Sequence, residues 1–280
     1  MSVSVAKGKR IGIIGVGNIG SSILHGLLAA DSKGGKIFIS DEKRDKLRDF
    51  ESDPRIEICA SNEEAAKKSE VIILAIKPND VQGVVKAIAP FMNEGKMLIS
   101  VAAGVPTREI ESYLGAGRKV VRVMPNIGAR VGESVTALCK GNYASEKDEG
   151  IAKEILSAIG DVHIVKESDM GVITGLSGSG IAFFAAVIDA MADGGVYAGL
   201  PRDLSLVISA KTALGAAKMI LAGDKPSAVK QMTASPGGTT IRGLYAMEAR
   251  GVKAAMMEAV IEATKRAREI TEQSSAENKR

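Results

Sequence analysis

At 280 residues and 45% apolar side chains the chain has material for two packed domains, while 3% aromatics and no tryptophan leave the core to Ala, Val, Ile, Leu and Met. A net charge of +4, with acids and bases interleaved and no basic cluster mixed with aromatics, argues against a nucleic-acid partner. Cys59 and Cys139 lie far apart and His25 and His163 are the only imidazoles, which excludes a disulfide framework and a histidine-built metal site; no apolar run looks long enough to span a bilayer and residues 1–10 lack a signal-peptide core, so a soluble cytoplasmic protein without membrane partners is expected.

Residues 9–14 read as a short apolar strand that runs into Gly15-Val16-Gly17-Asn18-Ile19-Gly20 and then a helical pattern through Leu28. This is the dinucleotide fingerprint in its required context: Gly15 for the tight turn, Gly17 for approach of a pyrophosphate to the backbone, Gly20 for close packing of helix on sheet. A second strand, residues 36–40, ends at Asp41, where an acidic residue holds the adenine ribose of NAD. Lys43 and Arg44 follow and suit a 2′-phosphate, so the choice between NADH and NADPH stays open. Apolar strands at residues 71–76, 97–101 and 119–123 deliver Ala75-Ile76-Lys77-Pro78, Ala102-Ala103-Gly104 and Met124-Pro125-Asn126 to one sheet edge, which suggests a shared crevice. A last strand over residues 160–165 closes a Rossmann domain near Lys166, giving domains of residues 1–166 and 167–280.

From Glu167 the texture turns to Ala-, Gly- and Met-rich helical patterns. Gly175, Gly178 and Gly180 lie inside a helical stretch that runs to Tyr197; each glycine costs about 1 kcal/mol against alanine there, so close helix crossing or approach to a nicotinamide ring is needed to explain them. Gly199-Leu200-Pro201 breaks the chain, with Asp203 a candidate cap for a helix to Leu221, and residues 225–233 form a short helix. Ser235-Pro236-Gly237-Gly238-Thr239-Thr240 reads as a helix mouth, with Ser235 as cap, Pro236 in the first helical position and free N–H groups able to hold a small carboxylate. Helices over residues 241–249 and 252–270 follow, then a polar tail.

These segments, with Arg122 to Asn126, Thr174 to Gly180, Asp193-Gly194-Gly195 and Arg250-Gly251, resemble the pyrroline-5-carboxylate reductase family over nearly the whole chain. The resemblance implies an α/β Rossmann domain followed by an all-α dimerisation and substrate domain. It also implies a homodimer with swapped helical domains, built up as far as a decamer, and reduction of a cyclic imino acid by NADPH or NADH. Carried over, it puts cofactor contacts at Ile14, Gly15, Val16, Gly17, Asn18, Ile19, Gly20, Asn62, Ala75, Ile76, Lys77, Pro78, Ala102, Ala103 and Gly104. Substrate contacts fall at Glu167, Ser235, Gly238, Thr239 and Thr240, with the Thr240 hydroxyl as the catalytic group, and no metal is implied. Two departures stand out: Ile181 and Phe183 replace a proline and a tyrosine of the family's SGSGPAY, and Met232 stands where some relatives carry asparagine. The β-hydroxyacid dehydrogenases share the two-domain plan, but their acid/base lysine position is Phe184 here. A nucleotide-sensing protein without catalysis is the alternative from another class.

Overall fold

A computed structural model describes residues 8–30 and 35–277; residues 1–7, part of the segment read for a signal peptide, lie outside the described residues. By its contacts the chain forms two compact units, one from the described residues up to Gly178 together with those from Ala263 onward, the other Ser179–Glu262.

The first unit is built on an eight-stranded sheet: β1 (Ile11–Ile14), β2 (Ile37–Ser40), β3 (Ile56–Ile58), β4 (Val71–Leu74), β5 (Met97–Ser100), β6 (Lys119–Met124), β7 (Ser134–Lys140) and β8 (Gly160–Ile164). The order is β3-β2-β1-β4-β5-β6-β7-β8, parallel throughout except for the β6–β7 pair. Successive side chains on a strand point to opposite faces, and both faces here are apolar. Ile11, Ile13, Ile39, Ile73, Ile99 and Val121 lie on one face; it is covered by α1 (Asn18–Ala29) through Ile23, Leu24 and Leu27, and by the helix Glu146–Leu156 that follows β7. Ile14, Phe38, Ile72, Leu74, Leu98 and Val120 lie on the other, under α2 (Asn62–Lys68), α3 (Val81–Ile88) and α4 (Thr107–Leu114). A fully buried aliphatic side chain of this kind contributes about 1.5–3 kcal/mol, which is why short strands suffice when both faces are covered. α5 (Glu146–Leu156) begins with a complete capping box between Ser145 and Asp148.

Two strands, β3 and β7, lack the sequence pattern of the others. β3 has three residues at the sheet edge. β7 starts on Ser134 and Thr136, whose buried hydroxyls lie 3.2 Å apart, and so lacks the continuous apolar run expected of a covered strand.

α6 (Met170–Ile173) passes through a π-helical turn, Thr174–Gly178, into α7 (Gly180–Tyr197). A Cβ on Gly175 would meet Thr264 Oγ1 and would lie 2.7 Å from the Thr264 backbone nitrogen. Close crossing therefore accounts for this glycine. The crossing helix is α11 (Val252–Glu277), so the polar tail expected after Ile270 is helical as far as Glu277.

The second unit holds α7, then α8 (Arg202–Leu221), α9 (Pro226–Thr233), α10 (Thr239–Ala249) and the first part of α11. Pro201 is the N-cap of α8 and makes no side-chain cap bond, so Asp203 falls in the first turn and is not the cap expected of it. α8 buries only Ser205 and Ser209, while Leu204, Leu206, Val207, Ile208 and Leu214 are exposed. Ser205 packs on α7, where a Cβ at Gly195 would sit 2.8 Å from its Oγ. By length and composition alone, Glu167–Tyr197 and Arg202–Leu221 are apolar enough to cross a membrane. The expectation that no such stretch exists is therefore corrected; interruptions by Gly and Ser hid the mean hydropathy.

Candidate active site

The C-terminal edge of the parallel strands gathers the loops singled out by the fingerprint. In the order β2-β1-β4-β5, the chain leaves β2 at Asp41, β1 at Gly15, β4 at Ala75 and β5 just before Ala102. Ligands of open α/β sheets bind where strand order reverses, here between β1 and β4. Gly15 has φ +92°, a conformation L side chains rarely adopt, and a Cβ on it would strike the Ala75 carbonyl oxygen. Its N–H donates to the Ser40 carbonyl at 2.8 Å, and the Ala75 N–H donates to the Ile14 carbonyl at 2.8 Å. A Cβ on Gly20 would run into the Gly15 carbonyl, whereas Gly17 has open space above it. Gly17 is the N-cap of α1 and no side chain caps the helix. The result is a backbone cradle at the positive end of a helix dipole with room for an anion, so the residues present fit a dinucleotide pyrophosphate.

Asp41, where a ribose hook is expected, has three partners within the protein. Its Oδ2 accepts the Val16 N–H at 2.8 Å and the Lys46 ammonium at 3.0 Å, and its Oδ1 accepts the Lys43 N–H at 2.9 Å. Burial pushes the carboxyl pKa up, but the Lys43 and Val16 amides and Lys46 outweigh it and hold the group below its ordinary value. Asn62, at the start of α2, accepts the Ser40 hydroxyl at 2.8 Å and so stands next to the β2 end. Lys77 precedes a short 3₁₀ turn beginning at Pro78. The Ala102 N–H is bonded to Ser100 Oγ at 3.3 Å, and a Cβ on Gly104 would lie 2.8 Å from Ile270 Cγ2, so α11 backs this loop. Asn126 is buried and donates to Ser177 Oγ at 2.9 Å, tying the end of β6 to the π-helical turn.

Glu167 also belongs to the first unit. Its carboxylate accepts the Thr107 N–H and hydroxyl, each at 2.8 Å, and pairs with the buried Arg122 at 3.1 Å. No pattern in the sequence marks this use of Thr107, because its partners lie far along the chain.

Ser235, Gly238, Thr239 and Thr240 lie together in the second unit, but the helix starts later than expected. The Gly238 N–H donates to the Ser235 carbonyl at 3.0 Å, with Pro236 and Gly237 (φ +69°) between them, which is the signature of a type II turn. Gly238 is the N-cap of α10, and Thr239 and Thr240 open the helix without any side-chain cap bond. Ser235 is therefore not the cap, and Pro236 is a turn residue. Ser235 Oγ is nonetheless so close to Gly238 that a Cβ there would collide with it. The uncapped first-turn amides of α10 thus start beside the Ser235 hydroxyl, with Ser235 and Thr239 exposed and Thr240 half-buried.

Among the described residues no group of three or more His, Cys, Asp or Glu could hold a metal ion. The Cys139 thiol is pushed up to about 12 and that of Cys59 to about 11, chiefly by burial, so neither is a ready nucleophile.

Residues 167–270 match the family model described as pyrroline-5-carboxylate reductase dimerisation, and residues 10–104 one described as NADP oxidoreductase, coenzyme F420-dependent. A pyrroline-5-carboxylate reductase from Methanosarcina acetivorans is 41% identical over 264 residues, 94% of this chain and 98% of the relative. Among solved structures, a pyrroline carboxylate reductase from Plasmodium falciparum with NADP bound superposes with a TM-score of 0.84 at 30% identity, covering 94% of this chain and 98% of the other. The pyrroline-5-carboxylate reductase of Coxiella burnetii gives 0.88 at 29% identity, with the same coverage. With likeness at that level running through both units, the chain belongs to the pyrroline-5-carboxylate reductase family.

Proposed function

We propose that the chain reduces 1-pyrroline-5-carboxylate to L-proline with NAD(P)H, the last step of proline biosynthesis. The observation that carries this reading is the start of α10: an 11-residue helix that opens on Thr239 and Thr240, has no side-chain cap at its N-terminus and has the Ser235 hydroxyl next to its N-cap Gly238. The substrate carries a carboxylate, and a helix start of this kind binds carboxylates through its backbone donors. The amides around Gly238 and Thr239, with the Ser235 hydroxyl, hold that group. The Thr240 hydroxyl hydrogen-bonds the ring nitrogen, orients it and relays its proton, a contribution of about 10²- to 10⁴-fold for positioned acid–base help. The nicotinamide supplies the hydride when bound. Ile14 to Gly20 and the loops at Asp41, Asn62, Ala75 to Pro78 and Ala102 to Gly104 make up the cofactor side. Glu167 enters the substrate set from the resemblance; Thr107 and Arg122 already account for its hydrogen bonds.

Residues 1–166 then serve as the dinucleotide half and residues 167–280 as the substrate and dimerisation half. Exposed leucines and isoleucines on α8 support burial of these side chains between two copies; that the homodimer is swapped and assembles up to a decamer comes from the family resemblance. The same burial supports a soluble protein, for which we infer a cytoplasmic location.

The test is consumption of NADPH and NADH with pyrroline-5-carboxylate as substrate. Thr240→Ala should lower kcat by about tenfold or more with cofactor affinity retained. Unchanged turnover in that variant would remove Thr240 from the mechanism, and no turnover by the unaltered chain would remove the reaction.

A further inference from the structure

The acidic residue at the end of β2 has a second use in this chain. An Asp that hooks the adenine ribose must offer its oxygens to the cofactor. The Asp41 side chain is only 7% exposed, and three donors from within the protein already hold it, two on Oδ2 and one on Oδ1. The decisive partner is the Val16 N–H at 2.8 Å, because Val16 lies between Gly15 and Gly17, inside the loop that forms the anion cradle, and is itself buried. Without Asp41 that amide would lose its acceptor, and the loop would keep only the Gly15 N–H bond to the Ser40 carbonyl as its hydrogen-bonded tether on the β2 side. A bare carboxylate beneath the positive end of α1 would also repel an approaching pyrophosphate. Lys46 at 3.0 Å neutralises it, which leaves Asp41 able to grip the loop without opposing the anion.

We propose that Asp41 is a positioning residue that latches the glycine-rich loop through the Val16 amide, with Lys46 as its counter-charge, and that it does not discriminate NADH from NADPH. The proposal rests on the reading that this edge binds NAD(P)H. A latch shapes the pyrophosphate cradle, which the two cofactors share. A ribose hook would favour NADH, because a carboxylate repels the 2′-phosphate of NADPH.

The full-length protein is titrated separately with NADPH and NADH by nicotinamide fluorescence, without imino acid. Hydrogen exchange of the peptide spanning residues 11–24 is followed in the cofactor-free protein. Asp41→Ala should weaken both cofactors by a similar factor, about tenfold, and should speed exchange across the loop. Asp41→Asn, which keeps an acceptor for the Val16 N–H, should restore slow exchange and bring both affinities back to within about threefold of the unaltered chain. Lys46→Met leaves the carboxylate charge unbalanced and should also weaken both cofactors together. The latch is overturned if Asp41→Ala or Asp41→Asn weakens NADH while leaving NADPH unchanged or tighter, or if Asp41→Ala leaves loop exchange and both affinities as they were. Should Asp41→Ala fail to fold, the Asp41→Asn and Lys46→Met titrations decide by the same criterion. If the unaltered chain binds neither cofactor, the functional reading fails; the exchange measurement still reports on the latch.

Discussion

Two helices of this chain begin in the same way and are supported in opposite ways. α1 and α10 both start on a glycine N-cap without a side-chain cap, and both follow a glycine of positive φ, Gly15 and Gly237. Around Gly15 the protein closes in: the Ser40 carbonyl, Asp41 and the Ala75 carbonyl fix the loop, and Gly20 has no room for a methyl group. A methyl group added at Gly237 would meet nothing within 4 Å, and Ser235, Pro236 and Thr239 face solvent. The first cradle is finished by its own sheet. The second is rigid only through its turn. A helix start can thus be prepared for an anion either by packing or by local backbone geometry, and the two should fail differently when altered.

The largest effect is expected at the packed end. Gly15→Val forces a β-branched residue to φ +92° and drives its side chain into the Ala75 carbonyl. We expect cofactor affinity to fall by about 100-fold or more and stability by about 2–4 kcal/mol, read by fluorescence titration and chemical denaturation. At the open end, Gly237→Ala meets only the backbone penalty, about 1–2 kcal/mol. Its signature should be an imino-acid KM raised several-fold, with cofactor affinity unchanged; a loss of cofactor binding would show that the two cradles are not independent. α5 sharpens the contrast as a helix start that satisfies itself, since Ser145 and Asp148 cap each other. Asp148→Asn should cost only about 1 kcal/mol, a melting shift of about 2–4 °C, with kinetics intact.

Acid should act on the same features. Burial raises the Asp148 carboxyl pKa, but the Ser145 hydroxyl and amide and Lys119 together hold it below its ordinary value, and Asp41 is lowered for the parallel reason given above. A carboxyl depressed in the folded state contributes stability above its unfolded pKa of about 3.9 and loses it as pH falls through the folded value. Denaturation midpoints should therefore be level near neutrality and fall below about pH 4, with a shallower fall in Asp148→Asn.

Most of this was legible because parallel strands covered on both faces must be apolar without interruption. β1, β4 and the first three residues of β5 are such runs, and each points to the loop that follows it. β7 was not legible because buried hydroxyls replace apolar residues at Ser134 and Thr136. The α10 start was displaced because Ser-Pro suits both a helix mouth and a turn; only the bond from the Gly238 N–H to the Ser235 carbonyl separates them. The latch on Val16 was invisible for another reason. An Asp after β2 has the spacing of a ribose hook whichever way its side chain turns, and spacing carries no record of that direction.

The inverted polarity of α8 has a consequence for handling the protein. A helix that hides Ser205 and Ser209 and displays Leu204, Val207 and Ile208 calls for an apolar cover, and in the dimer proposed above that cover is a sister chain. Unfolding is then coupled to dissociation, so dilution alone should move the melting curve to lower temperature, and the amount of protein in the tube becomes as much a determinant of its survival as heat or pH.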